Sequence, residues 1–484
     1  MTAEDARGDT RPVPRVAVVG GGITGLAAAL RLRERLGRRA DVWLIDQAAA
    51  LGGKLRTGEL AGAPLEAGAE SFLVRGADGA PSAAVLLAQR VGLGDALRHP
   101  AEVPAALAIG GRLLPIPPGT LMGVPADPAA LGGVAQPAAD ADHDAGLPLL
   151  GPDEDVSVGD LVRDRMGDQI VDRLVDPLLG GVYAGRADDL SLAATMPALA
   201  SACRVSGTLT GAVRVALDRG RTRRSPGPMF ATVEGGMSRL VDAVARRADA
   251  RVRLGLPVRE LRRAHGGWRL ALGSTRDPES LDVDALVLAV PARPAARLLA
   301  GVSPGAAAEV AELDYASVAL VSLAVPWTGE LPRLSGFLVP ATEGYAVKAL
   351  TIVTRKWPQL AGHGLALLRA SVGRYRDAVP LQRPDGELIA LVQEELGALL
   401  PAGLPAPVAA TVTRWGGALP QYAPGHLDRV ARARAALAAE NIALAGESLA
   451  LAGAAYDGVG IPACVRSGWT AADQVVDALK GWPT

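Results

Sequence analysis

A glycine-rich segment near the N-terminus has the residue types and spacing that bind a dinucleotide phosphate. The segment fits G-x-G-x-x-G and consists of Gly20, Gly21, Gly22, Ile23, Thr24 and Gly25. In this pattern the first glycine permits a tight turn, the second lets backbone approach a pyrophosphate, and the third lets the next helix pack on the preceding strand. The helix N-terminus then offers N–H groups and its positive dipole end to phosphate oxygens.

An acidic residue follows at the distance where such proteins bind a ribose. Asp46 comes 21 residues after Gly25 and is followed by Gln47. A carboxylate at the end of the second strand can accept hydrogen bonds from ribose hydroxyls. NAD and FAD proteins share this pattern, so these residues alone do not distinguish the two cofactors.

Two further segments favour FAD. Gly53 and Lys54 lie in a second glycine-rich loop, and a third segment contains Gly68, Ala69, Glu70 and Ser71. A second loop with a basic residue can wrap around the pyrophosphate and ribityl chain of a longer cofactor, which a simple NAD dehydrogenase does not need. We therefore expect FAD.

The C-terminal part supplies a fourth segment. Ala454 leads into Val459, Gly460 and Ile461, and a helix is predicted from about residue 463 to 479. Pro462 suits its first turn, where a missing N–H costs nothing. Backbone N–H groups there would face the flavin pyrimidine and stabilise the negative charge of a reduced flavin. The alternative is an ordinary C-terminal helix.

Hydrophobic periodicity predicts the elements that position these segments. Short apolar runs are typical of buried parallel strands, and apolar residues at helical spacing predict helices. Strands are expected over 15–19, 42–45, 252–258, 283–290 and 441–445, and helices over 26–36, 240–248 and 463–479. The predicted fold class is α/β, with an FAD-binding Rossmann-type domain assembled from the separated segments 14–75, 226–298 and 436–484.

Two other domains are expected. Residues 80–225 are predicted to be mainly helical, with helices over 82–92 and 158–179. Within them, 125–155 is predicted to be a surface loop or disordered insertion, since it is rich in Ala, Gly, Pro and Asp with little periodicity. Residues 299–435 are expected to form an antiparallel-sheet substrate-binding domain, with strands such as 317–325 and 365–372.

Composition excludes several function classes. A length of 484 residues suggests more than one domain. The net charge of −1 gives no overall field for binding nucleic acid. Five scattered histidines and two distant cysteines, Cys203 and Cys464, indicate neither a metal site nor a disulfide framework. No stretch predicts a transmembrane segment or signal peptide, so a soluble cytoplasmic protein is expected.

Longer segments resemble a known family, the protoporphyrinogen and coproporphyrinogen oxidases of the amine-oxidase-like flavoprotein superfamily. The resemblance covers about residues 14–480. Its more specific parts are residues 176–185, 190–192, 355–358, 368–374, 414–415, 419–422 and 425–426. They are most similar to the Gram-positive enzymes that convert coproporphyrinogen III to coproporphyrin III. Asp46 departs from the glutamate usual in the family, although it still reaches a ribose hydroxyl.

The resemblance implies further site residues. It adds Val258 and Trp415 to the FAD contacts, each of which could equally be a core residue. FAD is expected to be bound non-covalently. The substrate carboxylates invite basic residues, and the candidates for the substrate cavity are Arg75, Val182, Tyr183, Lys348 and Arg374. Solvated surface charge and helix packing are their alternatives. The catalytic residues are unknown, because the flavin is expected to perform the oxidation.

The implied activity is an oxygen-dependent oxidation that yields a porphyrin and peroxide in heme biosynthesis. Protoporphyrinogen IX is the alternative substrate. Two rival functions are that of an amine or carotenoid oxidase and that of a non-catalytic binding protein of the kind seen among GDP-dissociation inhibitors. An aromatic content of 3% argues against the aromatic cage of amine oxidases. The expected partners are the porphyrinogen and dioxygen, with a transient ferrochelatase contact as a further candidate. The oligomeric state is left open.

Overall fold

A parallel sheet of five strands brings together segments from both ends and the middle of the chain. The computed structural model describes residues 13–140, 142–223, 227–264, 266–327, 331–362, 364–442 and 448–479. In spatial order the strands of this sheet are Arg251–Arg253, Asp41–Ile45, Arg15–Val19, Ala285–Leu288 and Ser448–Leu451. Every neighbouring pair is parallel. The carboxyl ends of the strands therefore meet at one edge, where open α/β sheets bind ligands.

Alternating side chains of these strands bury two different faces. Val16 and Val18 pack on one face and Ala17 and Val19 on the other, as the two-residue period of a strand requires. The first face is covered by the helices Ile23–Leu36, Ala83–Arg90, Met237–Ala248 and Ile461–Leu479. The second is covered by the helices Ala292–Leu299, Pro304–Ala311 and His426–Ile442 and by a three-stranded antiparallel sheet, Val258–Ala264, Gly267–Gly273 and Pro278–Val283.

Two strands differ from their predicted bounds. The strand expected over 252–258 is divided, since Arg251–Arg253 belongs to the parallel sheet and Val258–Ala264 opens the antiparallel one. Gly255 turns the chain between them with φ +66°. The strand expected over 441–445 lies later, at Ser448–Leu451. Residues 441 and 442 end a helix, and 443–445 lie outside the described residues.

A seven-stranded sheet forms the second large layer. Its order is Ala409–Pro420, Tyr315–Pro326, Leu365–Val372, Val347–Ile352, Gly336–Leu338, Ala105–Ile109 and Arg112–Pro115. All pairs are antiparallel except Gly336–Leu338 with Ala105–Ile109. The last two strands come from the region predicted to be mainly helical, so this sheet combines strands from that region with strands from the predicted sheet domain. The helix Asp385–Leu399 packs on one face through Leu388, Val392 and Leu396.

The helical region is more divided than its periodicity suggests. Its helices are Val158–Met166, Asp168–Ile170, Asp176–Tyr183, Leu192–Thr195, Pro197–Cys203 and Leu209–Arg223. The helix predicted over 158–179 is interrupted at Gly167, whose φ of +86° no helix continues, and a π-helical turn follows at Val171–Val175. A Cβ on Gly167 would lie 2.9 Å from that of Ala138.

The segment 125–155 contacts the core at several points. It is mostly exposed and irregular, but it includes a short 3-10 helix, Pro128–Leu131. Four of its apolar side chains, Leu131, Val134, Ala135 and Leu150, are buried in the core of the helical region. The described part of this segment is therefore a mostly exposed loop that four buried side chains anchor to the core.

Shorter elements connect these layers. The helices Val353–Lys356 and Ala454–Asp457 follow strands of the two large sheets, and seven short strands complete the structure, Thr57–Leu60, Ala63–Glu66, Phe72–Leu73, Leu97–Arg98, Thr120–Leu121, Val124–Pro125 and Phe230–Val233. Across the described ranges, we find no helix that combines the length and apolarity needed to cross a bilayer.

Candidate cofactor and substrate site

The first glycine loop turns the chain from the first strand of the parallel sheet into its first helix. Gly20 has φ +114°, and a Cβ there would lie 2.3 Å from the carbonyl oxygen of Ala289. A Cβ on Gly25 would lie 1.8 Å from the carbonyl oxygen of Gly20. Gly22 is different, because a Cβ there would meet no protein atom within 4 Å. The space in front of Gly22 is therefore open to a ligand.

The helix Ile23–Leu36 begins with backbone donors that no side chain caps. Gly22 is its N-cap, and its first turn holds no acidic residue. Because the first N–H groups of a helix have no intrahelical acceptor, they are free to bind an anion. Ile23 and Thr24 are both buried, so they present backbone to this site.

The carboxylate of Asp46 closes the first loop. One oxygen accepts a hydrogen bond from the N–H of Gly21 at 2.5 Å, and the other accepts from the N–H of Ala48 at 2.7 Å. Each carboxylate oxygen can accept a second hydrogen bond. Acceptor positions for two ribose hydroxyls therefore remain. The neighbouring Gln47 is exposed at the same edge.

Val258 follows a segment whose backbone is hydrogen-bonded to that of Asp46 and Ala48. The N–H of Leu256 donates to the carbonyl oxygen of Asp46 at 3.0 Å, and the N–H of Gly255 donates to that of Ala48 at 2.9 Å. Val258 then opens the antiparallel strand and packs its half-buried side chain against the core beneath the parallel sheet. Its position suits a backbone contact on the ribose side, and its ligand role stays a prediction.

The second glycine loop lies directly against the first. The N–H of Gly52 donates to the carbonyl oxygen of Gly21 at 2.8 Å, and a Cβ on Gly53 would lie 3.3 Å from the Cα of Gly22. Lys54 is exposed to solvent, although surrounding protein atoms displace part of the water around its ammonium group. This partial desolvation lowers the pKa of the ammonium group. The structure thus places Gly53 and Lys54 beside the open space at Gly22.

The third segment packs on the second loop. The N–H of Ala69 donates to the carbonyl oxygen of Lys54 at 3.0 Å, and a Cβ on Gly68 would lie 2.0 Å from the same oxygen. Trp415 holds this segment from the other side, because its indole N–H donates to the carbonyl oxygen of Ala67 at 2.7 Å. Ser71 ends the segment in a half-buried position.

Glu70 is committed to the protein. Its buried carboxylate forms ion pairs with Arg369, at 2.6 Å, and with Lys356. Burial would raise the pKa of Glu70, but the two cations outweigh burial and lower it. The side chain predicted to contact the cofactor is therefore a fixed anion within the protein, and only its backbone is left for the predicted contact.

The C-terminal segment reaches the same edge. The helix Ile461–Leu479 starts just beyond the last strand of the parallel sheet, and its first turn holds no acidic residue. Gly468 brings this helix against the first one, since a Cβ there would lie 2.3 Å from the carbonyl oxygen of Thr24. Gly460 is exposed, and Val459 packs against the core of the helical region. The N-termini of two long helices thus lie at one edge of the sheet.

An aromatic stack joins this segment to the helical region. Tyr422 lies edge-on to Tyr183, with ring centroids 5.6 Å apart, and stacks on His426 at 4.3 Å. Its hydroxyl donates to the carbonyl oxygen of Ala454. Burial lowers the pKa of His426 to about 4, assisted by Arg429. Tyr183 and Ala454, both predicted site residues, are therefore bridged by Tyr422.

Two of the predicted substrate residues lie together. Lys348 is buried, and its ammonium donates to the carbonyl oxygen of Gly180 at 3.3 Å. Burial, together with neighbouring Arg374, lowers the pKa of Lys348 to about 7. Arg374 donates to the carbonyl oxygens of Tyr345 and Val339 at 3.0 and 3.2 Å. Both side chains donate to neutral carbonyl oxygens, and a bound carboxylate would favour the protonated form of Lys348.

The other predicted substrate residues have different surroundings. Val182 lies on the helix Asp176–Tyr183, next to Gly180, and is 41% exposed, so an apolar side chain is presented to open space. Arg75 donates to the carbonyl oxygen of Gly79 at 3.0 Å within its own loop. The contacts of Arg75 are local, and none of them joins it to the pair of Lys348 and Arg374.

A large groove of about 1070 Å³ lies away from these segments. It is at the amino ends of the parallel strands, which is the edge opposite the glycine loops, and is lined by residues such as Arg15, Asp41, Arg251 and Asp284. Its charges pair with one another, as in the 2.7 Å contact of Arg251 with Asp41. Within the described residues no group of three His, Cys, Asp or Glu is arranged to hold a metal.

Four side chains of this region had no predicted role. Arg369 and Lys356 hold Glu70, and Tyr422 and His426 form the aromatic stack. All four fall within segments on which the family resemblance rests, and that was the only signal for them. Three of them, Arg369, Lys356 and Tyr422, have a partner more than 200 residues away in sequence. A local sequence pattern could therefore not reveal these contacts.

Comparisons with known proteins place this chain in a flavoprotein family. Residues 23–476 match the model of a family described as flavin containing amine oxidoreductase. A coproporphyrinogen III oxidase of Mycobacterium bovis is 40% identical over 96% of this chain and 97% of its own length. One from Bacillus subtilis is 31% identical, with the same coverage of both chains. The crystal structure of a candidate protoporphyrinogen oxidase from Exiguobacterium superposes with a TM-score of 0.79 and 28% identity, covering 96% of this chain and 99% of that one.

Proposed function

We propose a function for this chain, which belongs to the coproporphyrinogen III and protoporphyrinogen oxidases within the flavin containing amine oxidoreductases. It binds FAD non-covalently and oxidises coproporphyrinogen III to coproporphyrin III. The reaction belongs to heme biosynthesis. The observation that carries the proposal is the carboxyl edge of the parallel sheet. Four glycine-containing segments and two helix N-termini lie there, in a chain 40% identical to a coproporphyrinogen III oxidase.

The residues at this edge fit FAD. Free N–H groups at the start of Ile23–Leu36 face the open space at Gly22, which suits a pyrophosphate. Asp46 retains acceptor capacity for a ribose, and Lys54 supplies a positive charge beside the phosphates. The start of Ile461–Leu479, whose first turn holds no acidic residue, supplies a second helix N-terminus for the flavin end.

Bound FAD would supply a hydride acceptor that dioxygen reoxidises with formation of peroxide, and three such two-electron rounds, each with loss of one hydride and one proton from the substrate, convert a porphyrinogen to a porphyrin. The protein's contribution is positioning. The helix Ile461–Leu479 would favour negative charge at its N-terminus, and Tyr422 fixes the preceding backbone through its bond to Ala454. No residue of the site has to act as a nucleophile, because the reaction removes a hydride from carbon.

The substrate contributes carboxylates, and the pair of Lys348 and Arg374 is the best candidate to bind one. Both groups are largely removed from water and bond to carbonyl oxygens alone. A charge-assisted hydrogen bond to such a group contributes roughly 1.5–3 kcal/mol. Coproporphyrinogen III has four carboxylates and protoporphyrinogen IX two, so a substrate with more carboxylates has more ways to use this pair.

Comparing the two substrates tests the proposal. The value of kcat/KM should be about tenfold higher for coproporphyrinogen III, which corresponds to roughly 1.4 kcal/mol. Porphyrin fluorescence measures both under matched oxygen and detergent. A preference for protoporphyrinogen IX would favour the alternative that the Exiguobacterium structure suggests. Absence of flavin from the purified protein would contradict the whole proposal.

A further inference from the structure

Three side chains of the seven-stranded sheet region hold the segment 66–70 from one side. Arg369, on the strand Leu365–Val372, donates to the carbonyl oxygens of Glu66 and Gly68 at 3.1 and 3.2 Å. Its other terminal nitrogen donates to Glu70 at 2.6 Å. Lys356 pairs with the same carboxylate, and Trp415 donates to Ala67 (2.7 Å). The contacts come from three separate elements of that region.

The opposite side of the same segment supports the cofactor loops. Ala69 donates to Lys54 at 3.0 Å, and Gly68 is so close to Lys54 that a Cβ would overlap its carbonyl oxygen. The loop of Lys54 then donates through Gly52 to Gly21 of the first glycine loop. An unbroken series of contacts thus runs from Arg369 to the open space at Gly22.

The contact between Arg369 and the segment 66–70 fixes the position and orientation of that segment. Arg369 is 11% exposed at its side chain and Glu70 is 9% exposed. A planar guanidinium that binds a carboxylate and two carbonyl oxygens together fixes both distance and orientation. Because both charges are buried, loss of Arg369 would leave the carboxylate of Glu70 with only one of its two cations. Small shifts of the segment would break several bonds together.

We propose that Arg369 is a positioning residue for FAD, which acts through Glu70 and the carbonyl oxygens of 66–68 to hold the second glycine loop in its binding geometry. The inference rests on the proposed function, because it requires that FAD binds at the glycine loops. It assigns part of the cofactor site to the sheet that carries Lys348. A change on that sheet, without contact to the cofactor, should therefore weaken FAD binding.

The test measures the rate of FAD release from the holoprotein after dilution, followed by the recovery of flavin fluorescence. Arg369→Met should accelerate release at least tenfold. Arg369→Lys keeps the charge near Glu70 but cannot reach two carbonyl oxygens as well, so its rate should be intermediate. A variant that purifies folded by circular dichroism but without flavin, while the wild type retains it, also supports the proposal. With FAD in saturating excess, kcat of Arg369→Met should return to within about twofold of wild type.

Arg163→Met is the matched control. Arg163 pairs with Asp168, Asp172 and Asp188 in the helical region, so its loss should lower stability without touching the glycine loops. FAD release from Arg163→Met should equal that of the wild type. Equal release rates in Arg369→Met and Arg163→Met would overturn the proposal while leaving the flavin enzyme intact.

Two milder variants cover the case in which Arg369→Met does not fold. Trp415→Phe removes the N–H that binds Ala67 together with part of the ring, and Lys356→Met removes one of the two cations at Glu70. Each should accelerate FAD release at least threefold, and wild-type rates in both would overturn the proposal. A wild type that binds no FAD would instead refute the proposed function itself.

Discussion

Gly22 is required for the predicted cofactor contact but not for the packing of the protein. A side chain there would meet no protein atom within 4 Å, and its φ of −71° suits any residue. Gly22→Val should therefore fold normally but bind no flavin, because the side chain would fill the space that a pyrophosphate needs. The ratio of flavin to protein absorbance, with a thermal melt of both flavin-free proteins, measures this. Unchanged flavin content would remove the argument for this loop.

Gly25→Ala provides the contrast. Its Cβ would lie 1.8 Å from the carbonyl oxygen of Gly20, so the helix would have to move off the strand. This variant should lose stability as well as flavin. If Gly25→Ala melted at the wild-type temperature, the helix–strand contact would be looser than the structure indicates.

His426 should make the protein less stable in mild acid. Burial lowers the pKa of His426 from 6.5 to about 4. Between these two pH values the unfolded chain therefore binds a proton that the folded chain does not bind. Stability is therefore highest above pH 6.5 and falls as the pH drops to about 4, by up to roughly 3 kcal/mol. His426→Phe keeps the ring on Tyr422 and should flatten this part of the pH profile. Urea unfolding at about pH 7 and about pH 4.5 compares the two proteins, and parallel profiles would contradict the assignment.

At the residue scale, the sequence predicted a structural role correctly where only glycine fits the local backbone. Gly20 and Gly25 could be assigned structural roles because their spacing leaves no room for a side chain. Glu70 could not, since its role depends on Arg369, almost 300 residues later. The sequence alone predicts that Glu70 contacts the cofactor, and only the fold shows that Arg369 and Lys356 neutralise it.

At the scale of elements, Asp142 ties the segment 125–155 to a helix. Its carboxylate accepts hydrogen bonds from the N–H groups of Leu209 and Thr210 at 2.6 and 2.9 Å, at the start of Leu209–Arg223. Asp142→Ala should lower the free energy of unfolding by about 1 kcal/mol, the usual contribution of such a cap. Chemical denaturation measures the change, and Asp153→Ala, at an exposed position of the same segment, is the control that should have almost no effect. Equal effects of both substitutions would show that the cap contributes nothing.

Strands could be predicted more closely than helices at this scale. The strand Leu365–Val372 has the predicted bounds because its mainly apolar run lies between Gly364 and Gly373, both at positive φ. The helix predicted over 158–179 fails at Gly167, where contact with Ala138 sets the backbone. The hairpin of Ala105–Ile109 and Arg112–Pro115 was missed, although its two-residue turn, Gly110 and Gly111 at positive φ, is a local signal for such a hairpin.

At the scale of the whole molecule, unfolding should release the flavin. Cys464 is buried, and burial raises the pKa of its thiol, so the nucleophilic thiolate that covalent attachment would need is disfavoured. Acid precipitation should leave all flavin in the supernatant, and Cys464→Ser should retain a yellow colour. Flavin in the pellet would contradict non-covalent binding.

The order of the parallel sheet also has a consequence for biosynthesis. The strand Arg15–Val19 emerges first from the ribosome, but its neighbour Ala285–Leu288 follows some 270 residues later and Ser448–Leu451 later still. At translation rates of about 5–20 residues per second, the first glycine loop would wait on the order of half a minute or more for the last strand and helix. A site with all four glycine-containing segments therefore exists only once the start of Ile461–Leu479 has been synthesised. We expect the flavin to bind after that point, when the parallel sheet also has its last strand.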